Sequence, residues 1–210
     1  MPGTLSEADL VVDLKASLQD AALVFTAASD ADFKRHLATA ARAFGKKRSR
    51  TLLGTLALVA AQADYAAPAS FLAFKSHLWG VTPIAKCQPW ETNWPGRLPD
   101  ARYVETAEGS MLTLEPAPTS FQISVIGNEF RYYYFAGHVI GQAASGTTIL
   151  PGERGVLILR AQAEAMREMA MRNIAKPVQM REGMMSQARN GTAAALYEKL
   201  IDEFNAAEVT

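Results

Sequence analysis

RGVLILRAQAEAMREMAMRNIAK, residues 154–176, carries the longest helical pattern in the chain. Leu159, Ala163, Met166, Ala170 and Ile174 recur at steps of three and four, which stacks them on one side of an α-helix. Ile158, Ala161, Ala165 and Met169 widen that side into a broad apolar stripe. Arg160, Glu164, Arg167, Glu168 and Arg172 alternate in sign on the other face, with Arg160–Glu164 and Glu168–Arg172 at the pairing distance of one turn. That face is expected to be solvated or shared with a neighbouring subunit. Pro177 cannot continue the hydrogen-bond ladder, so the helix is expected to stop near Ala175 or Lys176.

Two helices are expected upstream. Ser6 and Asp9 give a capping signal, and Leu10, Leu14, Leu18, Ala22 and Phe25 then form one stripe reaching to near Thr26. Ser29 and Asp32 repeat the signal before Phe33, Leu37, Ala41 and Phe44, with Gly45 placed to close the second helix. The short loop between them implies an antiparallel pair. Downstream, Asn190 and Gly191 read as a turn and Thr192 as the cap of a C-terminal helix. Tyr197, Leu200, Ile201 and Phe204 give that helix an aromatic and apolar face, which either packs within the subunit or anchors on a partner.

From Thr51 to Thr148 the texture changes: Pro, Gly, aromatic and β-branched residues rise and long helical stripes vanish. Strands are expected at 52–60, 72–79, 83–88, 102–106, 110–115 and 129–136. Glu108 and Gly109 make a hairpin turn, and Pro116 and Pro118 end the strand before them. FRYYYF at 130–135 is apolar on both faces, so either both are covered or one awaits a partner. The loop PWETNWPGRLP places Trp90 and Trp94 where an interface would use them. The expected architecture is α+β: a helical bundle from residues 1–50 and 149–210, with a β-rich insertion at 51–148.

Composition narrows the function. Lys plus Arg and Asp plus Glu number 21 each, which argues against a general polyanion-binding surface. The one dense basic cluster, Lys46, Lys47, Arg48 and Arg50, lacks interleaved aromatics and reads better as a solvated loop after a helix end than as a DNA contact. Cys87 has no internal disulfide partner, and His36, His77 and His138 are scattered without catalytic or zinc spacing. No phosphate loop or dinucleotide fingerprint occurs. The N-terminus lacks a signal peptide's apolar run, and residues 51–63 are shorter than the roughly 20 needed to span a bilayer. The expectation is an interaction protein without catalytic residues, cofactor, metal or membrane contact.

Four segments, in order, carry a family resemblance: ADYAAPASFLAFKSHLWG at 63–80, MLTLEPAPT at 111–119, FRYYYF at 130–135 and TTILPGERGVLILRAQAEAM at 147–166. Tyr65, Pro68, Leu114, Pro116, Pro118, Tyr132, Tyr133, Tyr134, Leu157 and Leu159 fall where that pattern has its aromatic, proline and leucine positions. The chain resembles the head-to-tail adaptor (connector) proteins of tailed bacteriophages. The resemblance implies a non-enzymatic virion protein, made in the bacterial host and located in the head–tail neck. It would form a ring, usually of twelve copies, beneath the portal protein, extend the channel for viral DNA and dock a tail or stopper protein. It also implies that the C-terminal segment, here Thr192 onward, reaches the portal. The Trp90–Trp94 loop and the basic cluster have no counterpart in the pattern. The alternative is a DNA-binding or DNA-packaging accessory protein that uses the 46–50 cluster.

Overall fold

A computed structural model describes residues 5–81, 87–107, 109–174 and 192–207. It is a mixed fold of α-helices and two three-stranded antiparallel sheets. The chain divides into two compact units, Met1–Arg48 with His138–Thr210, and Ser49–Gly137.

The first unit is helical. Helix α1 (Glu7–Leu18) starts at Ser6, whose hydroxyl accepts from the Asp9 amide at 3.2 Å. It ends earlier than the stripe predicts. Gln19 takes φ 51°, and a 3-10 segment, Gln19–Val24, replaces the last turns. Tertiary contacts override the local pattern here: the Phe25 ring lies edge-on to Phe33 at 5.5 Å and to His36 at 5.1 Å, and Arg172 donates to the Val24 carbonyl at 3.0 Å. Helix α2 (Ala31–Lys47) also departs from expectation at both ends. Ser29 and Asp30 adopt left-handed backbone without a side-chain cap, and Asp32 is instead buried and paired with Arg35 at 2.8 Å. Gly45 is buried within the helix rather than closing it.

The long helix, α4 (Arg154–Ile174), packs against α1, α2 and the C-terminal helix, α5 (Ala193–Ala206). The buried side is centred beside the predicted stripe: Leu157 and Glu164 are buried, whereas Ile158, Leu159, Met169 and Ala170 are half-buried. Leu157, Ala161, Ala165 and Met166 join Leu10, Leu14, Leu37, Phe44 and Phe204 in one core. Part of the charged face of α4 is drawn inside as well, while Arg167 and Arg172 stay exposed: the Arg160 and Glu164 side chains are 14% and 8% exposed and pair at 2.5 Å. Glu168 takes hydrogen bonds from Arg35 at 2.6 Å and from Arg172. The helix's expected stop at Ala175 or Lys176, and the Asn190–Gly191 turn, lie outside the described residues. Thr192 does cap α5, accepting from the Ala195 amide at 3.2 Å. The segment after His138 returns to this unit sooner than position 149: Glu7 donates to the Gly141 carbonyl, and Thr147 donates to that of Leu5.

The second unit holds both sheets. In one, β6 (Glu129–Ala136) lies between β1 (Arg50–Ala57) and β3 (Phe71–His77). In the other, β5 (Gly109–Glu115) lies between β2 (Asp64–Ala66) and β4 (Asp100–Thr106). Thr106 pairs with Gly109, closing the expected hairpin, although Glu108 itself is outside the described residues. So are residues 83–86 of the expected strand 83–88, while Cys87 and Gln88 form no strand. Two elements were not anticipated: the short β2, and α3 (Ser120–Ile126), which opens with a reciprocal cap between Thr119 and Gln122. The sequence Thr-x-x-Gln before an apolar run was the signal for α3.

FRYYYF is the middle strand of its sheet. Phe130, Tyr132 and Tyr134 are buried, whereas Arg131 is exposed and Tyr133 and Phe135 are half-buried. Thus one of the two apolar faces is covered. The buried rings form a file, with Tyr132 centred 5.9 Å from Phe130 and 5.7 Å from Tyr134. Phe71 stacks on Tyr134 at 5.1 Å and on Tyr103 of the other sheet at 5.0 Å, joining the two sheets. Tyr132 lies across from Gly54, where a Cβ would meet the tyrosine ring and come within 2.7 Å of its hydroxyl. Only glycine leaves room for the ring there.

Gly54→Ala should therefore destabilise the β-rich unit by about 2 kcal/mol through overpacking. Adding Tyr132→Leu should make the alanine tolerable; equal losses with and without the tyrosine, in chemical denaturation, would contradict the clash. The helical unit gives a pH prediction. Burial pushes the His36 imidazole below its ordinary value of 6.5; Glu168, 3.4 Å away, opposes this and Arg35 adds to it. Burial also lowers His77 in the other unit. In both, the unfolded chain binds the proton more readily, so stability is full above about pH 6.5 and falls as pH drops through the window below it. His36→Gln should make that slope shallower. Glu168 acts lower: burial opposes its charge, but the Arg35 and Arg172 hydrogen bonds win and hold it below its ordinary 4.5, so its contribution is lost only as pH falls beneath that value.

Candidate partner-binding surfaces

The C-terminal helix presents its apolar face inward more than outward. Phe204 is 5% exposed and belongs to the helical core, with Leu200 and Tyr197 packed beside it. As a free anchor for a partner it is therefore excluded by its own packing. Two cations flank its ring: Lys47 Nζ at 5.1 Å and the Arg160 guanidinium at 5.6 Å from the centroid. Tyr197 and Ile201 are half-buried and line a groove with Arg42, Lys46 and Arg167. Its volume is about 540 Å³. Glu164 lies in the same groove, tied to Arg160 and, at 3.4 Å, to Arg167.

The basic cluster is not a solvated loop, because α2 runs on through Lys47 and divides its members among separate tasks. Lys46 is exposed on the groove. Lys47 donates to the carbonyls of Phe204 at 2.6 Å and Asn205 at 3.1 Å, and to that of Ala207. It thereby satisfies the C-terminal carbonyls of α5, where a cation also suits the helix dipole. Arg48 forms an ion pair with Glu153, itself only 5% exposed. Arg50 opens β1 and is half-buried. The four cations do not make one surface.

In the β-rich unit the tryptophan loop is ordered by its neighbours. The buried Gln122 amide donates to the carbonyls of Pro95 at 3.1 Å and Arg97 at 2.8 Å. Backbone turns link Gln88 to Glu91 and Glu91 to Trp94. Trp94 is half-buried, whereas Trp90 is 81% exposed. A large apolar side chain left in water on a pinned loop is suited to insert into a partner. Elsewhere in this unit Leu53, 53% exposed, lies directly across from Tyr133 on β6.

Cys87 is unpaired and half-buried. His36 and His138 belong to the helical unit, where His138 Nε2 lies 3.0 Å from the Arg48 carbonyl oxygen, and His77 stacks on Phe130 in the other. Among the described residues no group of three or more His, Cys, Asp or Glu side chains is arranged to hold a metal ion. No helix among them is long and apolar enough to cross a membrane.

Arg48→Ala should lower the stability of the helical unit by about 2 kcal/mol, since it strands the buried Glu153 carboxylate. Lys47→Met should cost about 1 kcal/mol through the carbonyls of α5, and Lys46→Ala close to nothing. Equal effects at all three positions in thermal unfolding would contradict this division. Compared with known proteins, the sequence matches no family model and no curated protein.

Proposed function

We propose that the chain is a head-to-tail adaptor of a tailed bacteriophage, a non-enzymatic ring subunit that joins the portal and receives a tail or stopper protein. In this reading the helical unit forms a bundle into which the β-rich unit is inserted, and the working location is the neck of the virion. The observation that carries the proposal is Trp90, 81% exposed on a loop pinned by Gln122. An assembly protein needs such preformed apolar contacts, because ordering a loop on binding costs affinity. The groove beside Tyr197 and Ile201 supplies a second, different surface on the other unit, and a ring contact is heterologous and requires two. The sequence resemblance, with its aromatic strand and proline-ended turn, adds the specific family.

The alternative, a DNA-binding or packaging protein acting through Lys46, Lys47, Arg48 and Arg50, has less support. Lys47 and Arg48 are engaged within the subunit by carbonyls and by Glu153.

Mixed with a candidate phage portal ring, the protein should add as a collar of about twelve copies, seen by electron microscopy and by mass. Trp90→Ala should weaken assembly with the portal or tail partner by about 2 kcal/mol while leaving monomer unfolding unchanged. A monomer that ignores the portal, yet retards duplex DNA in a salt-dependent manner, would overturn the adaptor reading in favour of the alternative.

A further inference from the structure

The groove on the helical unit is cationic, and the opposite side of the helix that borders it is anionic. Arg42 and Lys46 stand one turn apart on α2 at the groove, both exposed, and neither is ion-paired among the described residues. Arg160 and Arg167 line it too, against Glu164, the single carboxylate there among the described residues, which those two arginines already hold. On α5, Glu198 and Asp202 also stand one turn apart, both exposed and neither ion-paired among the described residues. Glu203 lies nearby. Among the described residues the one cation there, Lys199, sits 3.9 Å from Glu203. Ala194 and Ala195 continue this surface with small side chains, so another helix can approach closely.

These two surfaces match in sign and in spacing. Residues four apart on a helix place their side chains about 6 Å from each other along one face. A cation pair at that step on one helix can therefore meet an anion pair at the same step on another. The surfaces lie on different sides of one subunit and so cannot satisfy each other within it; Tyr197 and Ile201 face the groove while Glu198 and Asp202 point away from it.

We propose that the groove lined by Arg42 and Lys46 receives the Glu198–Asp202 face of α5 from a second copy of this chain, so that copies join head to tail. The contact names the two faces through which the proposed ring would close, and in that sense it rests on the adaptor reading. The second copy is the occupant favoured here because the anion pair that matches Arg42 and Lys46 in sign and step is present on this same chain, at Glu198 and Asp202; binding of duplex DNA in its place is an outcome of the test. The contact is heterologous, and it is repeated without limit until a rotation closes it.

The test is sedimentation velocity of the full chain over a range of concentrations, at low and moderate salt. The wild type should associate with increasing concentration, and salt should weaken it. The groove variant Arg42→Glu with Lys46→Glu, and the helix variant Glu198→Lys with Asp202→Lys, should each shift half-association to about tenfold higher concentration. All four positions are exposed, so both variants should melt as the wild type does. The chain carrying all four substitutions restores opposite signs across the contact and should associate again. A wild type that stays monomeric, a single-surface variant that associates unchanged, or a fourfold variant that fails to recover would overturn the proposal. So would a groove variant that loses only the retention of duplex DNA. Swapped charges that behave as expected in a chain that never collars a portal would uphold this contact and remove the adaptor reading. A portal collar indifferent to the swaps would do the reverse.

Discussion

The ring of Phe204 lies between two cations, Lys47 from α2 and Arg160 from α4, and the placement of α5 on the helical unit depends on that seat. Burying a phenylalanine side chain contributes about 2 kcal/mol, and a partly desolvated cation on a ring adds about 1 kcal/mol. The same Lys47 ammonium closes the carbonyl end of α5, and the same Arg160 guanidinium holds Glu164 beneath it. One aromatic side chain near the end of the chain thus brings three helices together. It also decides which residues remain outside: with Phe204 turned in, Tyr197 and Ile201 border a groove, and Glu198 and Asp202 face water.

Local patterns were legible where local forces govern. Ser6 and Thr192 cap their helices as their positions suggest, β6 spans the expected 129–136, and the hairpin before Met111 closes where Gly109 permits it. What the sequence hid was decided by partners distant along the chain. The α1 stripe continues in register to Phe25, yet the backbone breaks at Gln19 because Phe25 is claimed by Phe33, His36 and Arg172. The charged side of α4 looks solvated from its alternating signs, and Arg167 and Arg172 do stay exposed, but a helix packed against three others takes Arg160 and Glu164 inside. KKRSR reads as one patch in sequence; the continuation of α2 through Lys47 turns successive side chains in different directions, and Lys47 and Arg48 are taken up by α5 and Glu153.

The candidate partner residues divide along the same line. Phe204 carries an aromatic-apolar signature that is common to cores and interfaces, and only the position of α5 against α4 assigns it to the core. Trp90 has no periodicity to declare its role, and it stays exposed in a loop whose later carbonyls, Pro95 and Arg97, Gln122 holds. On the proposed adaptor reading this separation is useful. The residues that hold the subunit together differ from those offered outward, so a partner can dock without loosening the fold.

Hydrogen exchange of the backbone amides in α5 tests this account most directly. With Phe204 seated between Lys47 and Arg160, the amides of α5 should be protected to nearly the same degree as those in the middle of α4, and Phe204→Ala should release α5 while α1 and α2 keep much of their protection. Rapid exchange throughout α5 in the wild-type monomer, at rates typical of a frayed terminus, would contradict the seat and every surface derived from it.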